Sequence, residues 1–454
     1  MLLAENNQDY LKNRGYSEHA PRAIARIYLQ QLLARYCQEM GLVEDITHLV
    51  LTVPEIWVRE GQHAARETLQ QICDELGLSH KVRLVSEPVA AAVYFAHCYQ
   101  QKEQRTYQGH LLICDYGGGT LDLSLCHVQD RAVTILEGTG RGEVGQTLGA
   151  AGVAFDEAVL QKVQQRYSNE HSPRHFYRAL KEFEEQKIAQ TEKISKALER
   201  YYRNAATNKK IFEVGDMSIE AADLASVFDT LIKPELDKAL QEMQSYLEQH
   251  QVNYQESEQF HVVLVGGFSN FYLTRQTVRH FFASRTEADQ RFHSYFDLTD
   301  TALAIAKGAA LIANESFKVT LTCPISVGIK ARNRYLEEVD LLLLEKGKEL
   351  AIYEKPHYTA MWLKVMSEAA LDTTALTLFL DVANGRRRYI DLRGHLRDFI
   401  PNPHADNQWR IGFAVNDNLL FTLHVTDQSG ETKITPLGNL EEKMSGLHYS
   451  EMDL

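Results

Sequence analysis

The sequence has no run of about 18 apolar residues, so it offers no helix able to span a bilayer. Positive charge is scarce: 48 Lys and Arg stand against 61 Asp and Glu, a formal charge of −13. That balance disfavours a nucleic-acid binder, which needs clustered Lys and Arg to displace counterions. Cysteine is sparse and scattered, at Cys37, Cys73, Cys98, Cys114, Cys126 and Cys323, with no CxxC pair. No HExxH occurs among the 18 histidines, so zinc-ligand spacing is absent. Cys73, Cys114 and Cys126 each sit in an apolar pattern and read as small buried hydrophobes of a reducing, cytoplasmic compartment. The start, Met1-Leu2-Leu3-Ala4-Glu5-Asn6, turns polar at once and does not read as a secretory signal.

What is present is ordinary globular material: 454 residues, 44% hydrophobic and 24% charged. The length suggests two to four domains, one of which is expected to be split. From Ala23 to about Asn314 helical and strand patterns alternate, which predicts an α/β domain. Leu49–Val53 reads as a buried strand stopped by Pro54, and Val82–Val85 as a strand before a helix opened by Pro88. Pro173–Arg203 is a long, mixed-charge helical stretch free of glycine, read as a surface lobe. Val262–Val265 is a strand, with helices expected near Ser269–Ala283 and Ala302–Ala313. After about Lys318 the period becomes two: Leu376, Leu378, Leu380 and Val382, then Ile411, Phe413 and Val415, then Leu419, Phe421, Leu423 and Val425. Asn, Asp and Gly punctuate these runs, as in an antiparallel meander. Arg386-Arg387-Arg388, after Asn384-Gly385, reads as a solvated turn.

Three segments carry chemistry. In Leu111–Leu125 an apolar strand reaches Asp115, passes Gly117-Gly118-Gly119-Thr120 and re-enters an apolar strand through Asp122. Consecutive glycines let backbone N–H groups approach phosphate oxygens, the Thr120 hydroxyl can donate to the same phosphate, and Asp115 can hold a hydrated Mg²⁺. In Val262–Ser269 a buried strand meets Gly266-Gly267 at a helix start, where backbone can approach an anion; alone, this is an ordinary strand-to-helix turn. Glu87-Pro88 places a carboxylate at a strand end, able to orient a water or simply to favour the helix dipole.

Taken with Leu51–Pro54, Glu87–Ala92, Val265–Ser269 and Ala306–Ala310, these segments resemble the 70-kDa heat-shock (DnaK-type) chaperones on the actin-like ATPase fold. Pro324–Ile329 and Asn416–Leu423 look like parts of that family's β-sandwich. The resemblance implies α/β actin-like lobes followed by an all-β, antiparallel sandwich: a nucleotide-binding domain over 1–314, a linker over 315–322, a peptide-binding-like domain over 323–437 and a tail over 438–454. It implies ATP or ADP with Mg²⁺. Gly117, Gly118, Gly119 and Thr120 would hold phosphates, Asp115 would organise the metal and attacking water, with Asp122 nearby, and Glu87 would stand behind that water. Gly266, Gly267 and Ser269 would line adenosine, with Glu192 and Lys196 reaching it from a helix on which Ser195 stands where the family has a lysine. Implied partners are unfolded, extended polypeptides, a J-domain co-chaperone and a nucleotide-exchange factor, with neither nucleic acid nor membrane.

Two departures shape the expectation. No Asp-x-Gly-Thr-Thr phosphate loop, and no lysine of the kind that follows it, precedes Leu49, so the first lobe is expected to be incomplete and ATP hydrolysis impaired. Residues 437–454 are too few for a helical lid, so bound peptide should leave quickly. An inert scaffold or holdase and a small-molecule kinase of the same superfold are the competing functions.

Overall fold

The computed structural model describes residues 20–41, 46–54, 63–78, 81–141, 151–167, 173–254, 259–283, 298–323, 325–381, 387–416, 419–438 and 440. They fall into two compact units that divide between Val319 and Thr320.

The first unit begins with helix α1 (Ala20–Glu39), followed by strand β1 (Leu49–Val53), α2 (His63–Glu75) and β2 (Val82–Ser86). β1 and β2 pair in parallel, Leu51 opposite Leu84. Helix α3 (Glu87–Glu103) follows β2 without a loop, with Pro88 in its first turn, where a missing N–H has no intrahelical partner to lose. Strands β3 (Gly109–Tyr116), β4 (Leu121–Gln129) and β5 (Ala132–Arg141) form an antiparallel meander. Helices α4 (Gly152–Gln164), α5 (Pro173–Ala189) and α6 (Thr191–Arg203) come next, then the hairpin β6 (Lys210–Val214) and β7 (Met217–Glu220). Helices α7 (Ala221–Val227) and α8 (Lys233–Gln249) are joined by a π-turn and lead to β8 (Phe260–Val265). A 3₁₀ turn at Phe268–Asn270, α9 (Tyr272–Ala283), α10 (Leu298–Ala313) and β9 (Lys318–Thr320) complete the unit. The central sheet has the order β8-β3-β4-β5-β9, with β8 parallel to β3.

Alternation along β3 assigns its two faces. Leu112, Cys114 and Tyr116 join Leu121, Leu123 and Leu125 of β4 in the large core that α4, α8 and α9 cover. Leu111, Ile113 and Asp115 therefore lie on the opposite face, where α3 packs. Helix α10 crosses α3 so closely that a Cβ on Gly308 would fall 1.8 Å from the Ala90 carbonyl oxygen. Only glycine permits that crossing, which accounts for the small residues of both segments.

The second unit is built of antiparallel sheets. One has the order β11 (Glu338–Leu344), β10 (Val327–Arg332), β14 (Thr377–Asp381) and β15 (Arg387–Asp391). The other runs β12 (His357–Tyr358), β16 (Gln408–Val415), β17 (Phe421–Asp427) and β18 (Thr432–Gly438), with β13 (Leu363–Lys364) also on β16. The α/β character followed by an all-β region thus agrees with the sequence reading.

Several expectations are adjusted. The stretch Pro173–Arg203 is two helices, broken at Gln190 without glycine or proline. The expected helix from Ser269 opens with a 3₁₀ turn and starts only at Tyr272. Arg387 and Arg388 belong to strand β15 rather than a turn, and Arg387 pairs with Asp340. Phe317 and Val319, on the stretch read as a connector, are buried, and β9 extends the central sheet. Pro324, Val382–Arg386, Asp417, Asn418 and most of the tail lie outside the described residues.

Candidate functional site

The β3–β4 hairpin places Asp115 directly opposite Asp122, and Tyr116 opposite Leu121. The turn between them is closed by the Gly117 N–H donating to the Thr120 carbonyl at 3.0 Å. Its carbonyls face helix α4: the Gly152 N–H donates to the Gly117 oxygen at 3.2 Å and the Val153 N–H to the Gly118 oxygen at 2.8 Å. With the oxygens turned that way, the N–H groups of Gly118, Gly119 and Thr120 have no partner among the described residues. Successive unpaired N–H groups in a turn are able to receive an anion.

Two of the three glycines of the turn, Gly117 and Gly119, are not required by the protein itself, whereas a Cβ on Gly118 would stand 3.3 Å from Val153 Cγ2. None of the three has a positive φ. A Cβ on Gly119 would meet nothing within 4 Å, and one on Gly117 only the Thr120 oxygen at 3.9 Å. Glycine is needed there only if something approaches from outside. Gly266 differs: its φ is +82°, and a Cβ would fall 2.5 Å from Asp115 Oδ1 and 2.6 Å from the Tyr116 oxygen. The strand-to-helix turn therefore seats against the base of the hairpin because residue 266 has no side chain.

Asp115 and Asp122 are buried, and Asp115 Oδ2 has no hydrogen-bond partner among the described residues. Asp115 shares the sheet face that α3 covers, and Glu87 opens α3. Burial pushes the Asp115 carboxyl up to about 8, and the nearby Glu87 charge adds to the push. Burial likewise raises Glu87 to about 7. Two carboxylates held near neutrality, one with an orphaned oxygen, form a hard-oxygen donor set suited to a hydrated Mg²⁺. The structure thus brings together Glu87, Asp115, Asp122 and the Gly117–Thr120 turn.

The remaining positions spread outward. Ser269 is fully buried and its hydroxyl donates to the Cys114 carbonyl at 3.2 Å, tying the 3₁₀ turn to β3. Gly267 lines a small cavity of about 40 Å³ with Thr191 and Ile194 of α6. Glu192 and Lys196 lie on the exposed side of α6, paired with each other at 3.8 Å, and line a different hollow.

Sequence reading did not pick out the Asp156–Lys187 pair. Lys187 Nζ lies 2.6 Å from both Asp156 oxygens, joining α5 to α4, and 5.6 Å from the centre of the Phe268 ring. Burial raises the Asp156 carboxyl to about 6, while Lys187 pulls it back down. The available signal was the first of two adjacent acids, Asp156 and Glu157, set between Phe155 and Val159-Leu160.

Among the described residues no group of three or more His, Cys, Asp or Glu side chains forms a metal site, and no helix is long and apolar enough to cross a membrane. A hydrated Mg²⁺ needs fewer protein ligands than that, because most of its shell is water and phosphate.

The chain is similar to known proteins. A curated relative, the chaperone protein dnaK1 of Synechocystis sp., is 24% identical over 428 residues, which make up 91% of this chain and 55% of the relative. The chain therefore spans about half the length of that relative. The family model described as Hsp70 protein matches residues 3–337, across the hairpin, the Gly266-Gly267 turn and strand β10 of the second unit, and the chain belongs to the Hsp70 family.

Proposed function

We propose that this chain is a chaperone-type protein that binds ATP or ADP with Mg²⁺ in an actin-like first unit. In this reading its second unit, a β-sandwich, takes extended hydrophobic segments of unfolded polypeptides. One observation carries the nucleotide part: the unpartnered N–H groups of Gly118, Gly119 and Thr120 stand one residue past a hairpin base whose Asp115 oxygen is also unpartnered. The turn would receive phosphate oxygens, with the half-buried Thr120 hydroxyl as a further donor. Asp115 Oδ2 would hold the hydrated metal, which when bound neutralises phosphate charge. Glu87, held near neutrality, can take or give a proton at its carboxylate within this site. Gly267 and the first turn of α6 would border the nucleoside, with Ser269 acting from behind as a latch.

The two antiparallel sheets after Val319 favour a chaperone over a small-molecule kinase. A J-domain protein and a nucleotide-exchange factor are the expected partners. Free thiols, with Cys73 raised to about 11 and Cys114 to about 12 by burial, suit a cytoplasmic setting.

The test is thermal shift and isothermal titration with ATP and Mg²⁺. A ligand at 100 times its dissociation constant adds about 2.7 kcal/mol of stability. No heat and no shift would leave a scaffold that has kept the shape without the ligand.

A further inference from the structure

The outer side of α6 carries a concentration of positive charge on an otherwise acidic chain. A hollow of about 750 Å³ lies between the end of α5, the outer face of α6 and the start of β6. Lys193, Lys196, Arg200, Lys209 and Lys210 line it, against a single carboxylate, Glu192. Its apolar lining comes from Ile188, 67% exposed, and the buried Ile211.

Some of these cations are already occupied. Lys196 pairs with Glu192, Lys193 donates to the Gln190 side chain at 3.2 Å, and Lys210 pairs with Glu213. The side chains of Arg200 and Lys209 have no ion-pair or hydrogen-bond partner among the described residues, while the Arg200 carbonyl accepts from the Asn204 N–H. Arg200 sits in the last turn of α6, where a cation complements the helix dipole. That explanation does not extend to Lys209 and Lys210, which converge on the hollow from a separate element.

We infer that this hollow is a docking site for a short acidic peptide segment bearing an apolar side chain. Charge complementarity selects the partner: five cations face the space, and two of them are left for incoming carboxylates. Ile188 supplies the apolar contact, which inorganic anions cannot use. An extended nucleic acid would have to continue from the hollow over a chain with a formal charge of −13, which repels it. The inference does not depend on the nucleotide reading.

The experiment uses the full chain without nucleotide. A fluorescein-labelled peptide, Glu-Glu-Ile-Glu-Glu-Asp, is titrated by anisotropy at low and moderate salt, beside an analogue with Gln and Asn in place of its acids. The acidic peptide should bind, the amide analogue should not, and affinity should fall as salt screens the charges. Arg200→Glu with Lys209→Glu should weaken binding by about 10-fold or more, as for loss of two charge pairs. Ile188→Ser should weaken it by about 3-fold, as for one partly exposed apolar contact. Both altered side chains are exposed, so the melting temperature should fall only slightly, through the lost helix-dipole contact of Arg200; Arg200→Gln with Lys209→Gln is the milder second variant. Equal binding by the charge-reversed protein would overturn the inference. So would tighter binding of inorganic polyphosphate or a single-stranded oligonucleotide with the same sensitivity to charge reversal.

Discussion

The missing side chain of Gly266 leaves room for Asp115: a Cβ there would stand 2.5 Å from the Asp115 Oδ1 oxygen. The turn after β8 thus packs against the buried carboxylate of the hairpin at a distance that no side chain at residue 266 would allow.

Replacing Gly266 by alanine combines that clash with a positive φ, so Gly266→Ala should destabilise the first unit by about 1–3 kcal/mol. Urea denaturation measures it. A neutral result would mean that the turn does not seat on the hairpin.

Gly119→Ala should behave in the opposite way. Its Cβ meets no protein atom and its φ is ordinary, so stability should hold or rise by about 0.4–1 kcal/mol through the unfolded chain. Affinity for MgATP should nevertheless drop about 10-fold or more, since a methyl group would stand where phosphate approaches and cost a charge-assisted hydrogen bond. Titration of the wild type and the variant side by side checks both halves.

The acid pair gives a pH signature. Asp115 rises from 3.8 to about 8 and Glu87 from 4.5 to about 7 on folding. The folded state therefore holds protons that the unfolded state releases, and the stabilisation is full below about pH 4 and lost as pH rises to about 8. Metal-free protein should lose stability over that window, and Asp115→Asn should flatten the loss. Mg²⁺ competes with the same proton, so its affinity should rise from pH 6 to 8.5 in the wild type alone. Chemical denaturation and metal titration across pH read the two effects. A pH-independent Mg²⁺ affinity would remove Asp115 from the metal's surroundings.

Lys187→Met should leave Asp156 buried without its cation and cost about 3–5 kcal/mol. Replacing both partners, Lys187→Met with Asp156→Leu, should recover much of that loss. Denaturation of the single and double variants separates a lost pair from lost packing.

Local pattern made much of this structure legible. The Leu111–Leu125 hairpin could be read because apolar strands and a glycine break are written within a few residues. Pro88 marked the start of α3 for the same reason. The division at Gln190 was not legible, since nothing in that stretch breaks a helix; the packing of α5 on α4 and of α6 on α7 and α9 decides it. Ser269 was expected only to line adenosine, through the resemblance; its bond to the Cys114 carbonyl was not legible, because that partner lies on another strand. Lys187 looked like one charge among many on a surface helix, and only the tertiary fold shows that it is buried against Asp156.

The two bonds from the start of α4 to the Gly117 and Gly118 oxygens make the hairpin tip and the helix a single mechanical piece. The Asp156–Lys187 pair ties the same helix to α5, so the glycine bend is anchored at second hand to the helical layer as well as to its own strands.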